Sequence, residues 1–123
     1  MRRLGLLLVL LVLAACKPAY EGVRLGLEDA APDGTVVSGD ELVLVEGVPL
    51  LISGEVQSSK SKAYDREDNV FELESDDESI VTVERTERAW EFVIIGSRVG
   101  ETCVHVIVDG DEMECIPAEV IAQ

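Results

Sequence analysis

At 123 residues the chain has room for one domain and whatever its N-terminus adds. Ten basic against 25 acidic residues give a net charge of −15, which argues against nucleic acid as a partner and against electrostatic adhesion to anionic lipid. The same balance favours solubility and tolerates basic partners.

The chain opens with the basic Met1-Arg2-Arg3, followed by an apolar run from Leu4 to Leu13 broken only by Gly5. A helix needs roughly 20 residues to cross a bilayer, so this run is too short to span and has the size of a secretory signal peptide. It ends in Leu13-Ala14-Ala15-Cys16, which resembles the lipobox of bacterial lipoproteins. The resemblance implies that residues 1–15 are a cleaved signal peptide. It also implies that Cys16 carries a diacylglyceryl thioether and that its new amino group is acylated, for example with palmitate. Two or more acyl chains anchor a protein stably, whereas one binds only marginally. The alternatives are an ordinary cleaved signal peptide or an N-terminal membrane anchor. Removing residues 1–16 leaves eight basic against 25 acidic residues, a net charge of −17.

Residues 16–35 mix Pro, Gly, Ala and charge without a sustained period and read as the lipidated cysteine and a tether, with a short strand at Val23–Leu27. From Val36 to the end the texture changes to runs rich in Val, Ile and Thr with turn signals between them. The spacing predicts strands at Glu41–Glu46, Pro49–Val56, Asn69–Glu74, Ser79–Arg85, Ala89–Gly96, Thr102–Asp109 and Met113–Ile121. Alternation assigns their faces: Phe71 and Leu73 against Glu72 and Glu74, and Val104, Val106 and Val108 against Cys103, His105 and Ile107. Trp90, Phe92 and Ile94 interleave with Glu91, Val93 and Ile95, a pattern that fits a strand covered on both sides. About seven such strands over residues 36–123 predict an all-β, immunoglobulin-like sandwich with a small aliphatic core.

The segment FELESDDESIVTVE, with the later Gly100, Thr102, Val104 and Val106 and the Asp109-Gly110 turn, resembles a bacterial immunoglobulin-like domain of group 2. Ser75-Asp76 and Ser79-Ile80-Val81-Thr82-Val83 answer that family's Ser-Asp and Ser-Ile-Ala-x-Val elements, and Gly47, Leu50 and Ile52 fit its first strand pair. Such domains occur in intimin- and invasin-type adhesins and in other envelope proteins. Leu73 stands where the family usually has Trp before Ser-Asp, which leaves the aromatic role to Phe71 or Trp90. The resemblance implies a fold and leaves the activity open.

With Cys16 assigned to lipid, Cys103 and Cys115 form an even pair in an oxidising compartment, and a disulfide is expected between them. Their parities place both on the same outer face of one hairpin, and their direct pairing needs a three-residue loop or a bulge. Two free thiols, or a metal pair with His105, are the alternatives, although the spacing matches no zinc pattern. Catalytic machinery is not evident. His105 is the single histidine, and no Gly-x-Ser-x-Gly elbow, phosphate-cradling loop or dinucleotide fingerprint accompanies it. No cofactor beyond the covalent lipid, no metal and no small-molecule substrate is expected. Asp76-Asp77-Glu78 and Asp109-Gly110-Asp111-Glu112 offer oxygen ligands for calcium, but strand turns favour Asp and Gly for backbone reasons. The run SSKSKAYDRED, residues 58–68, holds three of the eight basic residues of the mature chain and reads as either a recognition loop or solvated filler.

These readings converge on a non-enzymatic, lipid-anchored envelope protein acting as an interaction, scaffold or adhesion-type module toward an envelope protein or surface polymer. The alternative is an acidic inhibitor or capture protein for a basic, envelope-attacking enzyme such as a lysozyme. Lys17 follows Cys16 in place of the Asp associated with inner-membrane retention in enteric lipoproteins, so the resemblance favours the outer membrane.

Overall fold

The apolar and polar alternation that marks the strands also sorts the molecule into two layers. The computed structural model describes residues 17–123. The expected signal peptide and the lipidation of Cys16 lie outside the described residues. Nine strands follow one another: β1 (Tyr20–Leu27), β2 (Val36–Val37), β3 (Leu42–Val45), β4 (Pro49–Ser58), β5 (Phe71–Ser75), β6 (Val81–Arg85), β7 (Glu91–Gly96), β8 (Gly100–Val108) and β9 (Asp111–Ile121). They form a four-stranded sheet in the order β1-β4-β7-β6 and a five-stranded sheet in the order β2-β3-β9-β8-β5. All neighbours are antiparallel except β3 and β9, which run parallel with Leu42 opposite Ala118 and Val45 opposite Ile121. The domain is an all-β sandwich, in keeping with the immunoglobulin-like class read from the sequence.

Each sheet buries alternate residues against the other, as antiparallel sheets with one wet face do. Ile52, Phe92 and Ile94 come from one layer and Leu44, Val104, Val106, Val108, Ile116 and Val120 from the other, all essentially inaccessible. No polar or charged residue is buried among the described residues. Aromatic packing is confined to one spot, where Phe71 meets Phe92 and Trp90 edge to face at centroid distances of 5.4 and 5.9 Å.

Three sequence expectations change. Part of the expected tether is a full edge strand: β1 pairs along β4 from Tyr20 opposite Ser58 to Leu27 opposite Ile52, with Val23 and Leu25 in the core. Its Gly22 and Gly26 lie on the outward parity and dilute the alternation that would have marked its length. Strand β7 starts at Glu91 instead of Ala89, because Trp90 has a positive φ of 62° and cannot continue an extended strand. Strand β7 is also covered on one face only. Glu91, Val93 and Ile95 remain half-exposed on the outside, while Phe92 and Ile94 are buried.

Strand direction gives the sandwich two distinct ends. The lower end collects the start of β1, the segment 59–70, the β6–β7 turn and the β8–β9 turn. The upper end collects the turns after β3, β5 and β7 and the end of β9. At the lower end the Tyr20 hydroxyl donates a hydrogen bond to the Glu114 carboxylate and so ties β1 to β9. Burial, reinforced by that carboxylate, pushes the Tyr20 phenol far above its ordinary pKa.

Candidate functional site

The β8–β9 hairpin is built on a two-residue turn in which Asp109 (φ 51°) and Gly110 (φ 85°) both occupy the left-handed region. That geometry matches the strand twist and favours Asp-Gly. Further along, Val106 faces Glu114 while Ile107 faces Glu112, so Met113 is left over as a bulge. The bulge decides the chemistry of this face. It sets Cys115 opposite His105 and therefore on the same outer face as Cys103; without it Cys115 would fall opposite the buried Val104. Cys103 and Cys115 form the disulfide expected from the sequence, with Cα atoms 5.4 Å apart.

His105 lies against this disulfide. Its Nε2 is 2.9 Å from Asp76 Oδ1, and Nδ1 contacts the Glu112 carboxylate. The hydrogen bond to Asp76, with the nearby charge of Glu112, raises the imidazole pKa above its ordinary value. Ligand atoms of Cys103, His105 and Cys115 lie within 4.8 Å of one another, but the two sulfurs are bonded to each other and only the imidazole retains a donor lone pair. With a carboxylate at each ring nitrogen and both sulfurs oxidised, the group is equipped to hold a proton and lacks a thiolate nucleophile.

The acidic turns spend their carboxylates on their own chain. Asp77 accepts from the Ser79 hydroxyl at 2.6 Å and the Ser79 amide at 3.0 Å, and these bonds hold its pKa below the ordinary carboxylate value. Asp109 accepts from Asn69 Nδ2 and from the Val70 amide, both at 2.8 Å. In the segment 58–68, Asp65 accepts from the amides of Asp68 at 2.6 Å and Glu67 at 2.9 Å, and the Asp68 amide chiefly holds its pKa low. These turns give the segment a defined shape. The Asn69 carbonyl then accepts a hydrogen bond from Trp90 Nε1 at 3.2 Å, and the Arg66 guanidinium lies 5.9 Å above the Trp90 ring.

That arrangement opens a pocket of about 320 Å³ at the lower end, lined by Arg66, Arg85, Arg88, Glu87, Asn69 and Trp90 among others. The sequence singled out only Arg66 of its three arginines, as part of the segment 58–68. The available signal for the others was the pair Arg85 and Arg88 flanking the turn just before the single tryptophan.

No known family model matches the chain, and no curated protein sequence is significantly similar to it. Two solved structures share its architecture. The crystal structure of domains 4 and 5 of the S-layer protein SbsC superposes with a TM-score of 0.50 at 14% identity, covering 86% of this chain and 54% of that one. The structure of SbsC domains 5–6 gives 0.53 at 14% identity, covering 85% and 45%. The chain resembles S-layer protein domains in fold. It spans about half the length of each structure it matches, and at this identity the likeness is one of fold alone.

Proposed function

We propose that the chain is a lipid-anchored envelope protein whose sandwich, of the bacterial immunoglobulin-like group 2 type, is a non-enzymatic interaction module. The observation that carries this reading is the junction at the N-terminus: β1 begins at Tyr20, so only Lys17, Pro18 and Ala19 separate the lipobox cysteine from a folded strand. An acylated Cys16 would hold the sandwich within about 14 Å of the lipid headgroups, given four steps from Cys16 to Tyr20 at about 3.5 Å per extended residue. The likeness in fold to S-layer protein domains supports an envelope module, and Lys17 after Cys16 favours the outer membrane by the resemblance to enteric lipoproteins. Metabolic labelling with an alkyne-tagged palmitate tests the anchor. The wild-type chain should take up label and sediment with membranes, and Cys16→Ala should do neither. Label retained on the variant, or an unlabelled soluble wild type, defeats this assignment.

A second reading, an acidic capture protein for a basic enzyme such as a lysozyme, is favoured by the distribution of charge. Nineteen of the 25 acidic residues lie away from the lower-end segments 17–20, 58–70, 85–90 and 108–111, accompanied among the described residues by only Arg24 and Arg98. Such a body should bind a basic enzyme at low ionic strength and release it by about 0.5 M salt, where the screening length is only a few ångströms. Binding indifferent to salt, or no binding at low salt, counts against it.

A further inference from the structure

Six of the eight basic residues described in the structure sit at the lower end: Lys17, Lys60, Lys62, Arg66, Arg85 and Arg88. The same segments hold six acidic residues, so this end is locally neutral and the rest of the described chain carries the entire −17. Within it, the arginines of the pocket are underused. In a chain with 25 acidic residues, Arg66 and Arg88 have no carboxylate within 4.0 Å among the described residues. Arg85 reaches Glu72 through one nitrogen at 3.2 Å, and both side chains are largely open to water (64% and 43% exposed). An exposed pair of this kind is weak and exchangeable.

The floor beneath them is fixed. Trp90 is buried in the left-handed region, held by its ring N–H on the Asn69 carbonyl and by its own carbonyl on the Gly54 amide at 2.9 Å. A bulky residue kept in that backbone conformation is a strained element of the kind that gathers at ligand sites. Three guanidiniums around one opening exceed what the one carboxylate of its lining, Glu87, can satisfy, whereas a phosphate offers several acceptor oxygens matched to the planar guanidinium fork.

We propose that the pocket formed by Arg66, Arg85 and Arg88 binds a phosphate group, and that its source is the headgroup of an anionic membrane lipid. The choice of lipid over a soluble phosphate ester rests on the lipid-anchored reading above, because the pocket lies at the end of the sandwich from which the chain leads back to Cys16. The acidic body is repelled by an anionic bilayer while the neutral, arginine-bearing end is not, so the sandwich stands on its lower end.

Trp90 is the single tryptophan, and its fluorescence reports on the pocket. The full protein, purified in a neutral detergent, is titrated with glycerol 3-phosphate at constant ionic strength set with chloride. A saturable change is expected, weakened by about tenfold or more in R66Q/R88Q, as loss of charge-assisted hydrogen bonds requires. The variant R66K/R88K keeps the charge without the fork and should fall between the two, provided that circular dichroism shows both variants folded. A response indistinguishable from chloride, or one unchanged in R66Q/R88Q, overturns the site. The same protein is then reconstituted into phosphatidylcholine vesicles with and without phosphatidylglycerol. Reduced acrylamide quenching of Trp90 in the anionic vesicles, abolished by R66Q/R88Q, supports the lipid source. Equal quenching in both vesicles after a positive titration overturns the lipid source and leaves a site for soluble phosphate. If Cys16 takes no label, the titration still decides the pocket by itself.

Discussion

A Cβ built on Gly54 would sit 2.4 Å from Cε1 of Phe71, inside any tolerable contact. The glycine is there so that the Phe71 ring can reach across to Phe92 and Trp90 from the facing sheet. Gly54→Ala is expected to cost about 1–3 kcal/mol, the usual penalty of an overpacked core, read as a lower urea midpoint. His105 makes a different kind of prediction. The folded protein binds its proton more tightly than the unfolded chain does, mainly through Asp76. The resulting stabilisation is therefore fully present below the ordinary imidazole pKa of 6.5 and is lost as pH rises through the higher folded value. Asp76→Asn should lower the His105 pKa in an NMR titration and remove about 0.5 kcal/mol at pH 5.5, with little change at pH 9. An unshifted titration would mean that Asp76 does not hold the proton. At this scale the sequence was partly informative. The parity of Cys103, His105 and Cys115 could be read from it, but the approach of Asp76 depends on β5 pairing with β8, a long-range contact that no local pattern encodes.

Among the elements, the β8–β9 hairpin is set apart by a single extra residue. Deleting Met113 should remove the bulge and keep Cys115 opposite His105, since Glu114 then follows Glu112 directly, so the disulfide should still form and neither Cys103 nor Cys115 should titrate as a thiol. A thiol assay under denaturing, non-reducing conditions measures this directly. Removing the disulfide by C103S/C115S tests the bond itself. Closing a loop of this length contributes about 3 kcal/mol in the chain-entropy model, and the variant should lose up to that amount while keeping its β circular dichroism. The Asp109-Gly110 turn was legible because its residue types suit positive φ. A bulge was one of two options for pairing the cysteines, but its position was not legible, because Met113 differs in no local way from a paired strand residue. Strand β1 was seen only in part for a related reason: Val23 and Leu25 show the alternation, but the glycines beside them do not signal that the strand reaches back to Tyr20.

For the whole molecule, charge is the largest influence outside the core. Apart from Arg85–Glu72 and the two contacts of His105, no ion pair offsets the −17 among the described residues. Screening should therefore stabilise the fold, with the melting midpoint rising by about 2–5 °C between 20 mM and 500 mM sodium chloride. A midpoint that falls with salt would show that favourable pairings outweigh the repulsion. The layered all-β class was open to reading because alternation repeats in strand after strand. The polarity of the two ends was not, since it arises only when Lys17, the segment 58–70 and the β6–β7 turn meet at one end of the sandwich.

The one parallel pairing, β3 against β9, has a mechanical consequence. The chain enters the sandwich at the lower end and leaves it at the upper end, where the last strand finishes beside Val45. A pull applied between the start of β1 and the C-terminus would therefore draw β9 lengthwise past β3 and β8. The backbone hydrogen bonds joining those strands lie across the direction of pull, so they must yield together under shear and cannot unzip one at a time. The domain is strung along its strongest axis, as a link bearing tension would need to be.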